Sequence, residues 1–104
     1  MSKPVRPNAA AEAEFREAIL WYESRSAGLG DRLWREIQAA IDLITTHPEI
    51  GAAVERLRFR ERICRIRLSR FPFLLIYRER EDHLEVIALA HTSRKPRYWR
   101  SRLK

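Results

Sequence analysis

Cysteine and long apolar runs are scarce in this sequence, and each shortage excludes a class of protein. The 104 residues include one cysteine and three glycines. The single thiol, Cys64, has no partner for an internal disulfide, and nothing near it has the spacing of a zinc site. No apolar stretch approaches the roughly 20 residues that span a bilayer, and the N-terminus lacks the apolar segment of a secretory signal. We therefore expect one cytoplasmic domain over residues 1–104, without metal, cofactor or membrane contact.

Acidic residues are scarce in the second half of the chain, so the charge is strongly asymmetric. Residues 1–50 hold six basic and eight acidic side chains, a balance of −2, whereas residues 51–104 hold 15 basic and six acidic ones, a balance of +9. Arginine supplies 18 of the 21 basic residues, and its planar guanidinium suits bidentate contact with phosphate or carboxylate. The second half predicts an anionic partner, either nucleic acid or an acidic protein. The alternative interpretation is that these arginines only solvate the surface.

The first half of the chain predicts two antiparallel helices. Apolar residues recur at helical spacing over 9–25, where Asn8 is a candidate N-cap, and again over 31–46. Gly28 and Gly30 separate the two stretches and allow a tight reversal, and Pro48 ends the second helix. Since the connection is only a few residues long, we expect the helices to lie side by side as a hairpin.

After Pro48 the apolar period changes to that of strands. We predict strands over 62–68, 71–77 and 84–90, a polar turn over 78–83, and a weak edge strand over 3–6. The predicted fold is α+β: an N-terminal αα-hairpin packed on a three- to four-stranded, mainly antiparallel sheet, followed by a basic C-terminal tail. That tail, residues 92–104, holds six basic residues, no acidic residue and two aromatic ones.

Three phrases of the sequence resemble the RelE/ParE superfamily of toxins. They are AILWYESRSAGLGDRLWREIQAAIDLITTHPEIG (Ala18–Gly51), FPFLLIYRERED (Phe71–Asp82) and VIALAHTSRKPRYWRSR (Val86–Arg102). Their shared pattern is a Trp-Tyr helix end, a Gly-x-Gly reversal, a helix ending in His-Pro, an FPF…IY strand and a His-x-x-Arg-x-Pro-x-Tyr-Trp tail. The pattern covers nearly the whole chain and resembles the ParE-like branch more than the ribosome-dependent RelE nucleases. The proline-flanked N-terminus departs from it, since the family usually opens on a more apolar strand.

The resemblance implies a type II toxin that is neutralised by a cognate antitoxin, whose C-terminal segment wraps the toxin. It implies DNA gyrase as the target in the ParE-like case, and mRNA on the ribosome in the RelE-like case. The sequence leaves a homodimer and a toxin–antitoxin heterotetramer both open. An inactive toxin homologue or a nucleic-acid-binding module is the remaining alternative.

Three residues, His91, Arg94 and Tyr98, are the candidates for catalysis if the chain is a nuclease. A histidine can move a proton near neutral pH, an arginine can clamp phosphate, and a tyrosine can stack on a base or donate a proton. The structural alternative is that His91 bonds to a neighbouring backbone group while Tyr98 and Trp99 dock the tail on the core. The resemblance to the ParE-like branch implies a growth-arresting gyrase inhibitor, and because no acid–base set is convincing, we expect it to have no catalytic centre of its own.

Exposed aromatic residues of the helices and arginines of the strands and tail are the expected contacts with target or antitoxin. Alternation along a strand places Arg65 and Arg67 on the face opposite the core. Core packing is the alternative for the tryptophans, and protection of an exposed strand for the arginines. The full set is Trp21, Trp34, Arg62, Arg65, Arg67, Arg70, Arg97, Trp99 and Arg100.

Overall fold

Two helices pack on one face of a five-stranded sheet. The computed structural model describes residues 3–56 and 62–103; Lys104, the last residue of the predicted tail, lies outside these ranges. The elements in chain order are β1 (Val5–Pro7), α1 (Ala9–Arg25), α2 (Leu29–Thr46), β2 (Ala52–Arg56), β3 (Arg62–Arg67), β4 (Phe73–Glu79) and β5 (Leu84–His91), with short 3₁₀ helices at Pro48–Ile50 and Tyr98–Arg102. The second 3₁₀ helix is the tail helix. The predicted α+β class and helical hairpin are confirmed.

The helical hairpin is capped at its start and at its reversal. The Asn8 side chain accepts the Ala11 amide hydrogen at 2.8 Å and begins α1 as predicted. At the reversal, Gly28 has a φ of +88°, a left-handed conformation that glycine adopts without a Cβ clash. The Glu23 carboxylate accepts hydrogen bonds from the Gly28 and Gly30 amides, at 2.9 and 3.0 Å. Because this carboxylate caps the reversal, α2 begins two residues earlier than the sequence predicted.

The sheet has the strand order β1-β5-β4-β3-β2. Strands β2 to β5 form an antiparallel meander, and β1 pairs in parallel with β5 at one edge. The edge position of β1 agrees with the sequence, because a proline lacks the donor that a central strand needs. The sheet has one strand more than the predicted maximum. The unpredicted strand is β2, whose sequence AAVER has no clear alternation of apolar and polar residues.

Strand β5 contains a bulge that changes which side chains face the helices. Ile76 pairs with Ala88 while the next residue of β4 pairs with Val86, so Ile87 is left without a partner. Beyond the bulge, Leu89 returns to the helix side, whereas Ile87 and Ala88 both face the other way. The simple alternation predicted for residues 84–90 was therefore wrong beyond Val86.

The sheet is buried on both faces. The helix-side core consists of Ala11, Phe15, Leu33, Ile37, Ala40, Ile44, Cys64, Leu68, Phe71, Phe73, Leu75, Tyr77, Leu84, Val86 and Leu89. A smaller second core, on the opposite face, consists of Ile63, Ile76, Ile87, Ala88, Ala90 and Trp99. The sequence predicted the hairpin as cover for one face and gave docking of Tyr98 and Trp99 on the core as an alternative to their functional use. The tail helix also covers the sheet, because Trp99 packs into the second core and is only 2% exposed.

The charged segment 78–83 begins in a strand, so the predicted polar turn is confined to residues 80–83. Arg78 is 4% exposed and lies in β4. Its Nε donates to Glu85 Oε1 of the neighbouring strand at 2.8 Å. A buried guanidinium is tolerated because it is paired, and this cross-strand pairing is not visible in a run of charged letters.

The hydroxyl of Tyr77 ties the segment after α2 to the sheet. It donates to the Pro48 carbonyl at 2.7 Å and accepts the Gly51 amide hydrogen at 2.9 Å. Gly51 has to be a glycine because a Cβ there would lie 2.8 Å from Tyr77 Cε1. Burial raises the pKa of Tyr77 to about 12, so this hydroxyl keeps its proton at neutral pH.

We expect Tyr77→Phe to lower the free energy of unfolding by about 1–3 kcal/mol, because it leaves a buried amide and carbonyl without their partner. Urea denaturation measures the loss. Tyr22→Phe is the matched control, since the Tyr22 hydroxyl makes no hydrogen bond with any residue of the described ranges. Equal losses in the two variants would contradict the role given to the Tyr77 hydroxyl.

Candidate functional site

One carboxylate, that of Glu14 in α1, holds together three distant parts of the chain. The Arg102 guanidinium donates to both of its oxygens, at 2.9 and 3.0 Å. The Tyr98 hydroxyl donates to Oε2, and the Leu89 amide of β5 donates to Oε1 at 3.0 Å. The Glu14 side chain is only 13% exposed. Helix α1, strand β5 and the tail helix therefore meet at one largely buried charge.

These contacts close the part of the β5 edge that β1 does not reach. Strand β1 pairs only with residues 84–86. Beyond them, the Leu89 amide is bonded to Glu14, and the Ile87 carbonyl accepts from Arg102 at 3.0 Å. A carboxylate and a guanidinium thus satisfy backbone groups that would otherwise need a neighbouring strand.

The same contacts determine the protonation states of Tyr98 and Arg102 in the tail. Burial, with the hydrogen bond to Glu14, raises the pKa of Tyr98 well above its usual value. The hydrogen bond to Glu14 likewise raises the pKa of Arg102. The phenol is therefore a protonated donor, and the guanidinium a fixed cation, at neutral pH.

The sheet face opposite the helices carries a groove with an apolar floor and a cationic rim. Its volume is about 600 Å³. The exposed cations of the rim are Arg65 of β3 and Arg94, Lys95 and Arg97 of the tail, and no acidic side chain is among the lining residues. This basic groove is lined by Ala53, Val54, Arg65, Leu74, Ile76, Ala90, His91, Thr92, Arg94, Lys95, Pro96, Arg97, Tyr98 and Trp99. It brings together six of the residues that the sequence singled out.

His91 ends β5 and is held by the turn that follows. The Ser93 amide lies 3.1 Å and the Ser93 hydroxyl 2.7 Å from His91 Nδ1. Because an amide N–H can only donate, Nδ1 accepts, and the hydrogen of the neutral ring lies on Nε2. His91 therefore bonds to a neighbouring backbone group, as expected from the structural alternative.

Arg94 lies between the groove and the buried Glu14. Its guanidinium carbon is 3.9 Å from the centre of the Tyr98 ring, and Nη1 is 3.9 Å from Glu14 Oε2. The side chain is still 56% exposed. Stacking and ion pairing hold Arg94 in place, while its outer surface can bind an anion. Tyr98, by contrast, already donates its hydroxyl hydrogen to Glu14.

A smaller cavity of about 280 Å³ lies between α1 and β5. Trp21 borders it; this side chain is 51% exposed and meets Tyr22 edge to face, with 4.8 Å between the ring centres. This aromatic pocket is lined by Glu14, Glu17, Ala18, Trp21, Tyr22, Phe73, Leu89, His91 and Arg94. The structure thus places Trp21 beside His91 and Arg94, which the sequence did not predict.

Several predicted contact residues lie away from these two cavities. Trp34 is 37% exposed and packs against Phe15, with 6.3 Å between the ring centres, on the outer side of the hairpin. The Arg70 amide donates to Glu36 at 3.1 Å beside α2. Arg100 of the tail helix is exposed but does not line either cavity.

Arg62 does not share a face with Arg65 and Arg67, as the grouping of the strand arginines had implied. Alternation along β3 puts it on the helix side, where it interacts with Cys64 and Tyr77. Burial raises the pKa of the Cys64 thiol there. Arg67 is exposed on the groove face, so the cationic face of β3 consists of Arg65 and Arg67 alone.

Sequence reasoning missed Glu14 and Arg102 as organising residues. From the sequence, Glu14 is an acidic residue near the start of a predicted helix, where it interacts favourably with the helix dipole. One signal was present: Glu14 is three residues after Ala11 and four before Ala18, so it lies on the flank of the apolar stripe. That position brings the carboxylate close to the core, but nothing local identifies Tyr98 or Arg102 as its partners.

The sequence matches the family model described as the ParE toxin of the type II toxin-antitoxin system, parDE, over residues 5–96. This stretch includes both long helices, all five strands, and His91 with Arg94. The chain belongs to the ParE toxin family. The resemblance inferred from the sequence is therefore confirmed, and membership of the ParE family implies an antitoxin as partner.

Comparison with solved structures supports the same fold for this ParE-family chain. It is similar to a chain described as "Chromosomal ParDE TA system from P. aeruginosa", with a TM-score of 0.61 and 9% sequence identity. The match covers 88% of this chain and 98% of the other. No curated protein matches the sequence. At so low an identity the structural likeness shows the fold alone.

Two further findings concern membrane-spanning helices and metal sites in the residues that the structure describes. Over residues 3–56 and 62–103, no helix has the length and apolar character needed to cross a membrane. In the same ranges, no group of three or more His, Cys, Asp or Glu side chains is placed to hold a metal ion.

We expect Glu14→Gln to lower the free energy of unfolding by about 1.5–3 kcal/mol, because it removes the charged acceptor of several hydrogen bonds. It should also loosen the tail, so that trypsin cleaves after Arg97 and Arg100 faster than in the wild type. Limited proteolysis followed by mass spectrometry measures this.

Glu17→Gln is the matched control for that experiment. Glu17 lies one turn further along α1, is exposed, and has no ion pair with a described residue. If the two variants are cut in the tail at the same rate, Glu14 does not hold the tail in place.

The raised pKa of Tyr98 also predicts a pH dependence. A group whose pKa is higher in the folded state stabilises the fold below its unfolded pKa, about 10 for tyrosine, and this contribution is lost as the pH rises through the folded value. The difference in unfolding free energy between the wild type and Tyr98→Phe should stay constant from about pH 7 to 9 and shrink above about pH 10. Urea titrations across this range measure it, and a difference that grows with pH would contradict the assignment.

Proposed function

We propose that this ParE-family chain is a toxin that binds DNA gyrase and stabilises its cleaved DNA complex, and that a cognate antitoxin neutralises it. In this proposal the chain carries out no chemistry of its own. Growth arrest follows from binding alone, and the antitoxin acts by covering the cationic face.

The observation that carries the proposal is the basic groove. Its rim holds four exposed cations, and its floor includes the apolar side chains of Leu74, Ile76 and Ala90. Arginine binds phosphate and carboxylate in a bidentate manner, whereas an apolar floor favours protein. A surface that offers both suits a protein–DNA complex as target and an acidic protein segment as inhibitor.

One cation of the rim, Arg94, is also held in place before a partner binds. Arg94 stacks on Tyr98, Tyr98 bonds to Glu14, and Arg102 fixes the end of the tail helix to the same carboxylate. A surface whose side chains are already ordered loses less conformational entropy on binding. The tail is therefore suited to presenting charge to a partner.

The arrangement of the three candidate catalytic residues favours binding over nuclease chemistry. The Tyr98 hydroxyl donates to Glu14 and its pKa is raised, so it is a poor proton donor to a leaving group. His91 Nδ1 is engaged by Ser93. Arg94 alone of the three presents an exposed charge. These contacts support a structural use of Tyr98 and a binding use of Arg94.

A purified gyrase assay tests the proposal. We expect the wild-type chain to inhibit supercoiling and to accumulate cleaved DNA. The variant Arg65→Gln/Arg97→Gln should need about tenfold more protein for the same effect, the equivalent of about 1.4 kcal/mol of binding. The control Arg32→Gln/Arg35→Gln removes two exposed arginines of α2, outside the basic groove, and should act like the wild type.

Three outcomes would reject the gyrase proposal or replace it. No change in supercoiling or cleavage with the wild-type chain would reject gyrase as target. Cut mRNA in a translating lysate, lost in His91→Ala/Arg94→Ala, would establish the ribosome-dependent nuclease instead. Normal growth of bacteria in which the chain is induced alone would favour an inactive homologue or a nucleic-acid-binding module.

A further inference from the structure

The basic groove and the aromatic pocket share a wall. His91 and Arg94 line both of them, and both side chains are exposed. A polypeptide segment that lies in the groove therefore reaches the pocket by crossing these two residues. The two cavities form one continuous surface that runs from the open face of the sheet to the side of α1.

The pocket has aromatic walls and is large enough for one bulky side chain. Its walls include the rings of Trp21, Tyr22 and Phe73, which meet edge to face. Its volume of about 280 Å³ is just below the range of roughly 300–1,000 Å³ that is usual for small-molecule sites. Half-exposed Trp21 leaves an aromatic surface that a partner can cover, and buried aromatic residues contribute strongly to protein interfaces.

The entrance of the pocket is charged differently on its two sides. On the groove side, Arg94 presents a guanidinium and His91 presents Nε2–H. On the helix side, the exposed Glu17 presents a carboxylate. Glu14 also lines the pocket, but its oxygens are bonded to Arg102, Tyr98 and Leu89. An acidic residue is therefore attracted on the groove side and repelled on the helix side.

We propose that the aromatic pocket receives one bulky apolar side chain of an acidic antitoxin segment, and that a carboxylate close to this anchor pairs with Arg94. The identity of the segment rests on the proposed function. Charge complementarity argues for it, because the lining of the adjoining groove contains four exposed cations and no acidic side chain. Continuity argues for it too, because the segment that covers the groove passes directly over the pocket.

The opposite charges at the entrance determine the orientation in which the antitoxin segment binds. Its acidic residues lie over the basic groove, the apolar anchor enters the pocket, and the residue beyond the anchor faces Glu17 and is neutral or basic. Burial of one large apolar side chain strengthens binding by roughly ten- to a hundredfold. The anchor therefore supplies affinity, while the groove supplies charge selectivity and a fast encounter.

The first experiment measures fluorescence anisotropy of labelled synthetic peptides with the full chain. Each probe peptide is acidic and carries a single leucine anchor, with the nearest glutamate placed at different distances from the leucine across the set. We expect replacement of the leucine by alanine to weaken binding at least tenfold. Ala18→Leu, which narrows the pocket, and Trp21→Ala, which removes a wall, should each remove most of the preference for leucine.

Leu20→Ala is the control for these two variants. Leu20 lies on the same helix, is 68% exposed and does not line the pocket. This variant should bind every peptide as the wild type does. Should Ala18→Leu fail to fold, Trp21→Ala still tests the pocket, since half of that side chain is already in solvent.

A double-mutant cycle tests the ion pair. Arg94→Gln in the protein and Glu→Gln beside the leucine of the peptide should each weaken binding, and their effects should be non-additive. Arg70→Gln makes the same change of charge outside both cavities and should be additive with the peptide change.

Two results would overturn the inference: no leucine preference in any peptide of the set, or unchanged preference in both pocket variants. Failure of the proposed function is a separate outcome, because the gyrase assay contains no peptide. A chain that binds the acidic peptides through Trp21 and Arg94 but leaves gyrase unaffected keeps the inference about the pocket and loses gyrase as the target. A chain that inhibits gyrase but shows no leucine preference keeps gyrase as the target and loses the inference about the pocket.

Discussion

The Glu14 carboxylate accepts hydrogen bonds from β5 and from two residues of the tail helix, so it connects segments that are distant in the sequence. With Arg102, it satisfies the edge of β5 that has no neighbouring strand. It also fixes Tyr98, on which Arg94 is stacked. The basic groove and the aromatic pocket both have a wall formed by this tail. The shape of both cavities therefore depends on the buried Glu14 carboxylate, which is paired with Arg102.

The arginines of the chain serve two physically different purposes. Arg78 and Arg102 are largely buried and paired with glutamates, so they stabilise the fold. Arg65, Arg94 and Arg97 are exposed at the rim of the basic groove, where their charge is available to a partner. The net charge of the sequence does not separate these uses. Only the positions of the acidic residues show which cations are already satisfied.

Elements with strong local signals could be predicted from the sequence, and elements defined by distant contacts could not. The bounds of α1 followed from Asn8 and the apolar period, and the family from the order of short phrases. Strand β2 was missed because its apolar and polar residues scarcely alternate. The bulge at Ile87 was missed because the local sequence does not show which strand carries an extra residue. The docking of the tail depends on Glu14, which is more than eighty residues away from Tyr98 and Arg102. Trp21 joined the site only through the packing of α1 against β5.

Hydrogen exchange at the Leu89 amide tests the central role of Glu14 most directly, because this amide lies beyond the reach of β1 and is bonded to that carboxylate. If Glu14 has this role, Leu89 is strongly protected in the wild type. This protection is lost selectively in Glu14→Gln, while amides shared between β3 and β4 stay protected. Rapid exchange of Leu89 in the wild type, or equal protection in the two proteins, would contradict this role.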